Sequence, residues 1–421
     1  MGAVTEADRI LTLDVLRGVA VMGIFSVNVI AFAMPEAAYF NPAAYGGAHG
    51  ASLAVWAANF ILVDGKMRGL FSLLFGASTL LVIQRAEAAG LSPASVHYRR
   101  MLWLLLFGLC HFYLLWYGDI LSLYAADGLL LYLFRNMGVR RLLYWAAGLL
   151  LLDFLAMGFI AWSFIGLEAA ANAPHASAAT LAAWHDFGRP FAPPAAADLA
   201  HELGVYRGGW LGIVRDRLAH NAADPLMQLG FGSAETLGYM LLGMAGLKSG
   251  FLTGRWAPER YRRIALIGLA IGLPAFALLA WNGWRHDFRT SIVFLDFFAL
   301  ASPFRLLMMA AYASLIILFA ARAGGLRDRI AAAGRAAFTN YLGTTLLACI
   351  IFYGYGLGLF GYLTRWQAWL VAPCFWAVML LWSKPWLERF RYGPFEWLWR
   401  SLARWSPQPM RRPAGVAVQA A

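Results

Sequence analysis

Two polar residues in an otherwise apolar stretch, His111 and Asp119, are the best candidates for acid–base chemistry in this sequence. They lie in the segment HFYLLWYGD, in which a straight helix would hold them about 12 Å apart. A helix end at Gly118 would let Asp119 fold back toward the histidine. Because imidazole titrates near neutral pH, His111 is a candidate general base and Asp119 its orienting partner. The alternatives are hydrogen-bonded packing for His111 and a helix N-cap for Asp119.

A second group of polar residues places charges where a membrane makes them costly. Asp14 and Arg17 are three residues apart, so they share a helix face and are expected to pair. Asn28 lies on the same face, about 16 Å further along the helix. Lys66 and Arg68 follow a glycine within a long apolar stretch. We interpret these residues as candidates for substrate binding, with the cations contacting an anionic group such as a phosphate or carboxylate. Solvation at a membrane interface is the alternative.

Further hydrogen-bonding groups occur in the segment GRAAFTNYLGTT, which begins at Gly334. Asn340 and Tyr341 are candidates for lining a substrate cavity. Hydrogen bonding between helices is the favoured alternative for such groups in a membrane protein.

No metal site is expected, although the long segment 166–228 contains four histidines: His175, His185, His201 and His220. No histidine pair has the i, i+4 spacing of an HExxH motif. The sequence also lacks a P-loop, a GxSxG motif and a CxxC motif. ATPase, serine-hydrolase and dithiol redox functions are therefore not indicated.

The elements that must position these residues are membrane-spanning helices. Of the 421 residues, 61% are hydrophobic and 13% are charged, whereas soluble domains carry about 25% charged residues. Apolar runs reach the roughly 18 residues that cross a bilayer. These runs lack the alternation of barrel strands, and only helices and closed barrels satisfy the backbone in lipid. We therefore predict an all-α, polytopic transmembrane bundle of about ten helices.

The predicted spans are 13–33, 54–84, 101–117, 119–135, 142–164, 229–247, 264–281, 303–321, 336–358 and 366–383. The second is too long for one straight crossing, so we expect a break at residues 64–66. The stretch 291–300 is expected to be re-entrant or interfacial. Lysine and arginine concentrate at the N-terminus, in alternate loops and in the tail, which places both termini in the cytoplasm. The net charge of +12 is explained in this way, without nucleic acid.

We divide the chain into four parts: a five-span bundle with the polar cluster (1–164), an extracytoplasmic loop with short helices (165–228), a second five-span domain (229–405) and a disordered tail (406–421). The first apolar run lacks a cleavage pattern, so it is expected to remain as a span. Three cysteines in apolar segments, Cys110, Cys349 and Cys374, are expected to be buried apolar residues.

Several segments together resemble the YeiB family of bacterial inner-membrane proteins: LDVLRGVAVMGIFSVN, NPAAYGG, KMRGLFSLLFGAS, HFYLLWYGDILSLYAADGLLL, GRAAFTNYL and FRYGPFEWLWRSL. They follow in order over nearly the whole chain. The resemblance implies a multi-pass protein of the bacterial inner (cytoplasmic) membrane, whose C-terminal half is the family's domain of unknown function. It implies no settled activity.

The first span also resembles the opening of a wider superfamily of membrane acyltransferases, through its Arg17-Gly18 pair and the later Asn28. That superfamily includes the acyltransferase-three and heparan-glucosaminide acetyltransferase types. The resemblance implies transfer of an acyl group from cytoplasmic acyl-CoA to an acceptor on the far side. Acyltransferase-three members carry histidine at the position of Asn28, and the spacing of His49 does not match the heparan type. His111 is therefore the better-placed candidate.

The leading hypothesis is a transmembrane acyltransferase with His111 as general base, Asp119 as its partner, and Arg17, Lys66 and Arg68 binding the anionic donor. Acyl-CoA is the expected co-substrate, and no tightly bound cofactor is expected. Expected partners are membrane lipids, a small-molecule or lipid/glycan acceptor and a second copy in a homodimer; nucleic acid is not expected. The alternatives are a transporter or flippase for a small anion or lipid-linked molecule, with His111 and Asp119 as proton relay, and an envelope assembly factor.

Overall fold

The computed structural model describes residues 10–412, which form helices, turns and one isolated antiparallel bridge between Phe390 and Arg411. The prediction of an all-α fold is confirmed. A π-helical segment, Leu295–Leu300, joins the thirteenth and fourteenth α-helices. The α-helices are α1 Leu11–Ala33, α2 Ala37–Phe40, α3 Gly50–Leu62, α4 Lys66–Ala88, α5 Pro93–Leu114, α6 Leu121–Phe134, α7 Val139–Ala171, α8 Ala178–Gly188, α9 Ala196–Tyr206, α10 Trp210–His220, α11 Asp224–Lys248, α12 Pro258–Arg285, α13 Thr290–Phe294, α14 Ala301–Ala320, α15 Gly325–Arg335, α16 Ala337–Phe352, α17 Arg365–Trp369, α18 Val371–Arg389 and α19 Pro394–Arg404.

Six helical segments of the described chain are long and apolar enough to cross a membrane: Leu11–Ala33, Gly50–Ala88, Val139–Ala171, Pro258–Arg285, Thr290–Ala320 and Arg365–Arg389. The pair α15 and α16, bent by 79°, makes a seventh if it counts as one span. The remaining predicted spans also coincide with helices, but α6 is shorter and α5 and α11 are more polar. The chain is thus a multi-pass membrane protein, while the count of ten and the position of the termini stay predictions.

We call the end of the bundle at which α1 begins and α4 ends the inner end, and the opposite end the outer end. The predicted break in the second span lies between α3 and α4. Gly65 has φ +70° there, and a Cβ at this position would lie 2.4 Å from the Arg305 side chain. Both the backbone conformation and the available space therefore favour glycine. The stretch 291–300 differs from the prediction, because it is the first part of a continuous helical segment, Thr290–Ala320.

The predicted short helices of the outer segment are present as α8, α9 and α10. At the inner end, the Arg391 amide donates to the Met410 carbonyl at 2.9 Å, so part of the predicted disordered tail is ordered against 389–391. The rest of that tail, 413–421, lies outside the described residues. Of the cysteines, Cys349 is buried, but Cys110 and Cys374 are exposed on the bundle surface, contrary to expectation.

The two predicted halves of the chain interleave. Helix α1 packs along α15 and α16, and α11 packs between α4 and α7. The contact of α1 with α15 is so close that a Cβ on Gly334 would lie 1.9 Å from the Asp14 carbonyl oxygen. Small residues permit such close helix packing in membranes. The main apolar core accordingly contains Phe25, Leu104, Tyr341 and Phe375 from both halves.

Candidate functional site

The chain between α5 and α6 folds back and joins the two candidate acid–base residues. Helix α5 ends at Leu114, and the following turn brings the Asp119 carboxylate to 2.8 Å from His111 Nδ1. The side chains are buried, with 2% of His111 and 1% of Asp119 exposed. The sequence hypothesis that a helix end would let these residues meet therefore agrees with the geometry, although the helix ends before Gly118.

Both carboxylate oxygens of Asp119 have partners. Its Oδ2 accepts hydrogen bonds from the Ser122 amide and from the Ser122 hydroxyl, each at 2.8 Å. Asp119 thus also hydrogen-bonds the first turn of α6, although the N-cap residue itself is Ile120 and not Asp119 as the alternative predicted. A carboxylate at Nδ1 favours the His111 tautomer that carries its proton there, which leaves Nε2 as the basic nitrogen.

The basic nitrogen of His111 faces a hydroxyl from the second half of the chain. Thr345 Oγ1, on α16, lies 3.0 Å from His111 Nε2 and 3.2 Å from the Tyr341 carbonyl oxygen. Its single proton can be donated to one of these two acceptors at a time, and when it is donated to Nε2, Asp119, His111 and Thr345 form a continuous buried hydrogen-bond chain. The segment GRAAFTNYLGTT contained Thr345, but nothing in the sequence linked it to His111.

A cavity of about 280 Å³ lies at the inner end, between α1, α4, α5, α16 and α19. Its middle is lined by apolar side chains such as Leu74, Phe75 and Leu104. Six arginines line the cavity and together form what we call the arginine mouth: Arg17, Arg85, Arg100, Arg335, Arg391 and Arg400.

Among the described residues that line the cavity, the six arginines outnumber the two carboxylates, Asp14 and Glu396, so this lining carries excess positive charge. Arg17 pairs with Asp14 at 3.0 Å, as predicted, and donates to the Ser78 hydroxyl at 2.9 Å. Glu396 accepts hydrogen bonds from the amides of Phe338, at 2.7 Å, and Thr339, at 3.1 Å. An anion in the mouth would relieve the remaining repulsion between the guanidinium groups.

The repulsion between neighbouring arginines contributes to the pKa of Arg100. Its guanidinium stacks 4.1 Å from the Trp399 ring centroid, and its carbonyl accepts from the Trp399 indole at 2.9 Å. Burial, followed by the charges of Arg400 and Arg404, lowers the pKa of Arg100. Helix α19 thus places two further cations, Arg400 and Arg404, close to Arg100 on α5.

One aromatic ring, that of Tyr341, separates the deep end of the cavity from the His111–Asp119 pair. Ile120, Leu121 and Tyr341 line this end, and the Tyr341 ring centroid is 5.3 Å from that of His111. The buried Tyr341 hydroxyl has no hydrogen-bond partner of good geometry within residues 10–412, and the Ile120 amide lies beside it. A buried polar atom without a well-formed hydrogen bond therefore lies at the end of an apolar cavity.

Lys66 and Arg68 belong to a different region, at the start of α4 and inside the span Gly50–Ala88. Lys66 Nζ donates to the Phe60 carbonyl at 2.5 Å and lies 3.1 Å from the Phe276 ring centroid. Arg68 pairs with Glu235 at 2.5 Å, and Arg305 pairs with the same carboxylate. We call these three residues the Arg68–Glu235–Arg305 cluster. The structure does not bring Lys66 or Arg68 together with Arg17.

The two predicted asparagines also lie away from the described cavity lining. Asn28 is half-buried on α1. The Asn340 amide donates to the Ala333 carbonyl at 2.9 Å, and its oxygen accepts from the Trp382 indole at 2.8 Å. These bonds tie α15, α16 and α18 together, as the alternative of interhelical hydrogen bonding predicted.

Sequence reasoning missed most of the arginine mouth. Arg85, Arg100, Arg335 and Arg391 lie in or next to segments whose positive charge was assigned to membrane orientation alone. For part of this group a signal was present in the sequence. The aromatic and basic segment FRYGPFEWLWRSL supplies Arg391, Trp399 and Arg400 to the cavity wall.

Comparison with known proteins identifies relatives over nearly the whole chain. A family model described as a protein of unknown function (DUF418) matches residues 247–406. YxaH of Bacillus subtilis (strain 168) is 33% identical over 421 residues, covering 97% of this chain and 98% of YxaH. YeiB of Escherichia coli (strain K12) is 33% identical over 403 residues, covering 94% of this chain and 96% of YeiB. Both relatives are described as uncharacterized proteins. No solved structure matches the chain significantly. The chain therefore belongs to the YeiB family.

Proposed function

We propose that this protein is an acyltransferase of the bacterial inner membrane that takes an acyl group from cytoplasmic acyl-CoA and transfers it to an acceptor on the outer side. The observation that carries the proposal is the cavity, which joins an arginine mouth to an apolar interior ending one ring from His111. An acyl-CoA has the same order of groups, with phosphates at one end, then the slender pantetheine arm and the thioester.

In this proposal the arginine mouth binds the phosphates of the donor, because guanidinium groups bind phosphate oxygens by paired, charge-assisted hydrogen bonds. Arg17 keeps its predicted role, and Arg100, Arg391 and Arg400 join it. Lys66 and Arg68 have no role in donor binding. The pantetheine arm occupies the apolar interior, and the thioester approaches Tyr341.

The chemical step assigned to His111 is removal of a proton from the acceptor. As the acceptor oxygen or nitrogen attacks the thioester carbonyl, Nε2 takes its proton, the C–S bond breaks, and the CoA thiolate leaves and takes up that proton. General-base catalysis of this kind contributes roughly 10²–10⁴ in rate. For the acceptor to reach Nε2, it must displace the Thr345 hydroxyl or pass its proton through that hydroxyl. The Tyr341 ring must also move aside.

The experiment measures acyl-CoA binding and hydrolysis by the detergent-purified protein, using calorimetry and thiol release with donors of two to sixteen acyl carbons. Arg391→Gln should weaken binding about 10- to 100-fold, the value of one charged hydrogen-bond partner. Arg262→Gln is the matched control, because Arg262 is an exposed arginine at the inner end paired with Glu259. His111→Gln should abolish hydrolysis while leaving donor affinity unchanged.

The proposal fails if wild-type protein binds none of these donors, or if His111→Gln hydrolyses them at the wild-type rate. Equal binding by Arg391→Gln and Arg262→Gln would remove the arginine mouth from donor binding.

The Arg68–Glu235–Arg305 cluster favours a second candidate, a transporter or flippase for a small anion or lipid-linked molecule. Buried charges of this kind often mark ion or substrate pathways in membrane proteins. In this alternative, His111 and Asp119 form a proton relay. Binding of pyrophosphate by the arginine mouth, without binding of any acyl-CoA, would support the transporter over the enzyme.

A further inference from the structure

Three potential metal ligands meet where α9 and α10 turn at the outer end. His201 on α9 and Asp216 and His220 on α10 each offer one ligand atom, and these atoms lie within 4.8 Å of one another. Asp216 Oδ1 lies 2.8 Å from His201 Nε2 and 3.1 Å from His220 Nδ1. Asp216 and His220 are four residues apart on α10, so they share one helix face.

Two imidazole nitrogens and a carboxylate oxygen are the donor set that Zn²⁺ takes in many three-ligand sites. Bonds of about 2.0–2.2 Å in a tetrahedral arrangement hold ligand atoms about 3.3–3.6 Å apart. The observed separations from Asp216, 2.8 Å and 3.1 Å, are shorter than these by about 0.2–0.8 Å, which side-chain rotations can correct. All three side chains are at least partly exposed, with 59%, 22% and 55% of the side-chain surface accessible, so an ion can reach them and water can supply the fourth ligand.

A nearby histidine shows what an ordinary ion pair looks like in the same segment. His185 lies 3.0 Å from Asp198 and 3.3 Å from Asp186, with no second histidine in this group. Hydrogen bonds that His185 donates to the carboxylates of Asp198 and Asp186 raise the pKa of His185. His185 thus forms an exposed pair with carboxylates, whereas His201 and His220 converge from two helices on one oxygen.

We propose that His201, Asp216 and His220 bind one Zn²⁺ ion and thereby fasten α9 to α10. This inference is independent of the proposed enzymatic function. The next residue after Asp216, Arg217, is buried and donates to the Phe112 carbonyl at 2.7 Å. Phe112 directly follows His111. The bound ion would therefore stabilise α10 where it packs against the end of α5 that carries His111.

The test titrates ZnCl₂ into metal-free protein, purified with a tag that lacks histidine, and measures binding by calorimetry and bound zinc by mass spectrometry. Wild type should bind one Zn²⁺ per chain. His201→Ala and His220→Ala should each lose more than about 100-fold in affinity, since second-shell changes alone cost about 10–100-fold. His185→Ala is the matched control and should bind as wild type does.

A second measurement keeps the test independent of variant folding. Zn²⁺ should raise the unfolding temperature of wild type and His185→Ala, while Mg²⁺, which prefers oxygen ligands, should not. If a histidine variant fails to fold, Asp216→Asn replaces it. Absence of zinc binding by wild type at micromolar concentrations, or wild-type affinity in both His201→Ala and His220→Ala, would overturn the proposal.

Discussion

The arginine mouth and the Arg68–Glu235–Arg305 cluster both place arginines inside the bundle, but their surroundings differ. In the cluster, both guanidinium groups share the Glu235 carboxylate, to which the Tyr239 hydroxyl also donates at 3.1 Å. In the mouth, the described lining of the cavity has six arginines and two carboxylates. In the cluster each guanidinium contacts the carboxylate directly, whereas the arginines of the mouth surround a cavity. A buried cation is therefore informative about binding only when its partners are known.

The largest expected effect tests the structural role of the Arg68–Glu235–Arg305 cluster. Glu235→Gln removes the carboxylate that Arg68 and Arg305 share, and breaking a buried ion pair in this way costs about 3–5 kcal/mol. The measurement is the free energy of unfolding in detergent. Glu259→Gln, which removes an exposed partner of Arg262, should change stability by less than about 1 kcal/mol. A stable Glu235→Gln protein that has lost acyl-CoA affinity would reverse the roles of the two regions.

A smaller effect is expected at His111, beyond the deep end of the cavity. Thr345→Val removes the hydroxyl beside His111 Nε2 and leaves a buried polar atom without its partner, at a cost of about 1–3 kcal/mol. Thr344→Val is the matched control, because Thr344 donates to the Tyr341 carbonyl at 2.9 Å within its own helix. Thermal unfolding of both variants gives the comparison. Equal stabilities would mean that the Thr345 contact contributes nothing to holding His111.

The smallest expected effect tests whether the donor reaches the deep end of the cavity. Tyr341→Phe removes a hydroxyl that has no good partner in the described protein, so stability should change by less than about 0.5 kcal/mol. Donor affinity should fall about 2- to 10-fold, because the donor would supply the missing hydrogen bond. Tyr353→Phe, a buried tyrosine outside this cavity, is the control for calorimetric titration with acyl-CoA. Unchanged affinity in Tyr341→Phe would mean that the donor stops short of this ring.

Local patterns in the sequence predicted the all-α fold, because each spanning segment is encoded by its own run of apolar residues. The break near Gly65 and the pairing of Asp14 with Arg17 also depend on neighbours in the chain, and both are present. The contact of His111 with Asp119 agrees for the same reason, since one turn joins them.

The assembly of the candidate site could not be predicted, because its members come from distant segments. Thr345 reaches His111 from 234 residues away, and Glu235 reaches Arg68 from 167 residues away. Without these partners, Lys66 and Arg68 resembled ligand-binding groups as much as Arg17 did. Arginines at the inner end were explained by the positive-inside rule, which gives the same composition whether or not they surround a cavity.

The cavity wall also has a consequence for the order in which the protein is made. Asp14 and Arg17 come from the first helix, while Arg391, Trp399 and Arg400 come from the last segment of the wall. A nascent chain inserted as far as α18 has most of its helices but lacks the wall that residues 391–400 provide. The arginine mouth is therefore completed only when α19 docks against α5 and α16, so a partly synthesised chain in the membrane cannot yet hold a ligand there.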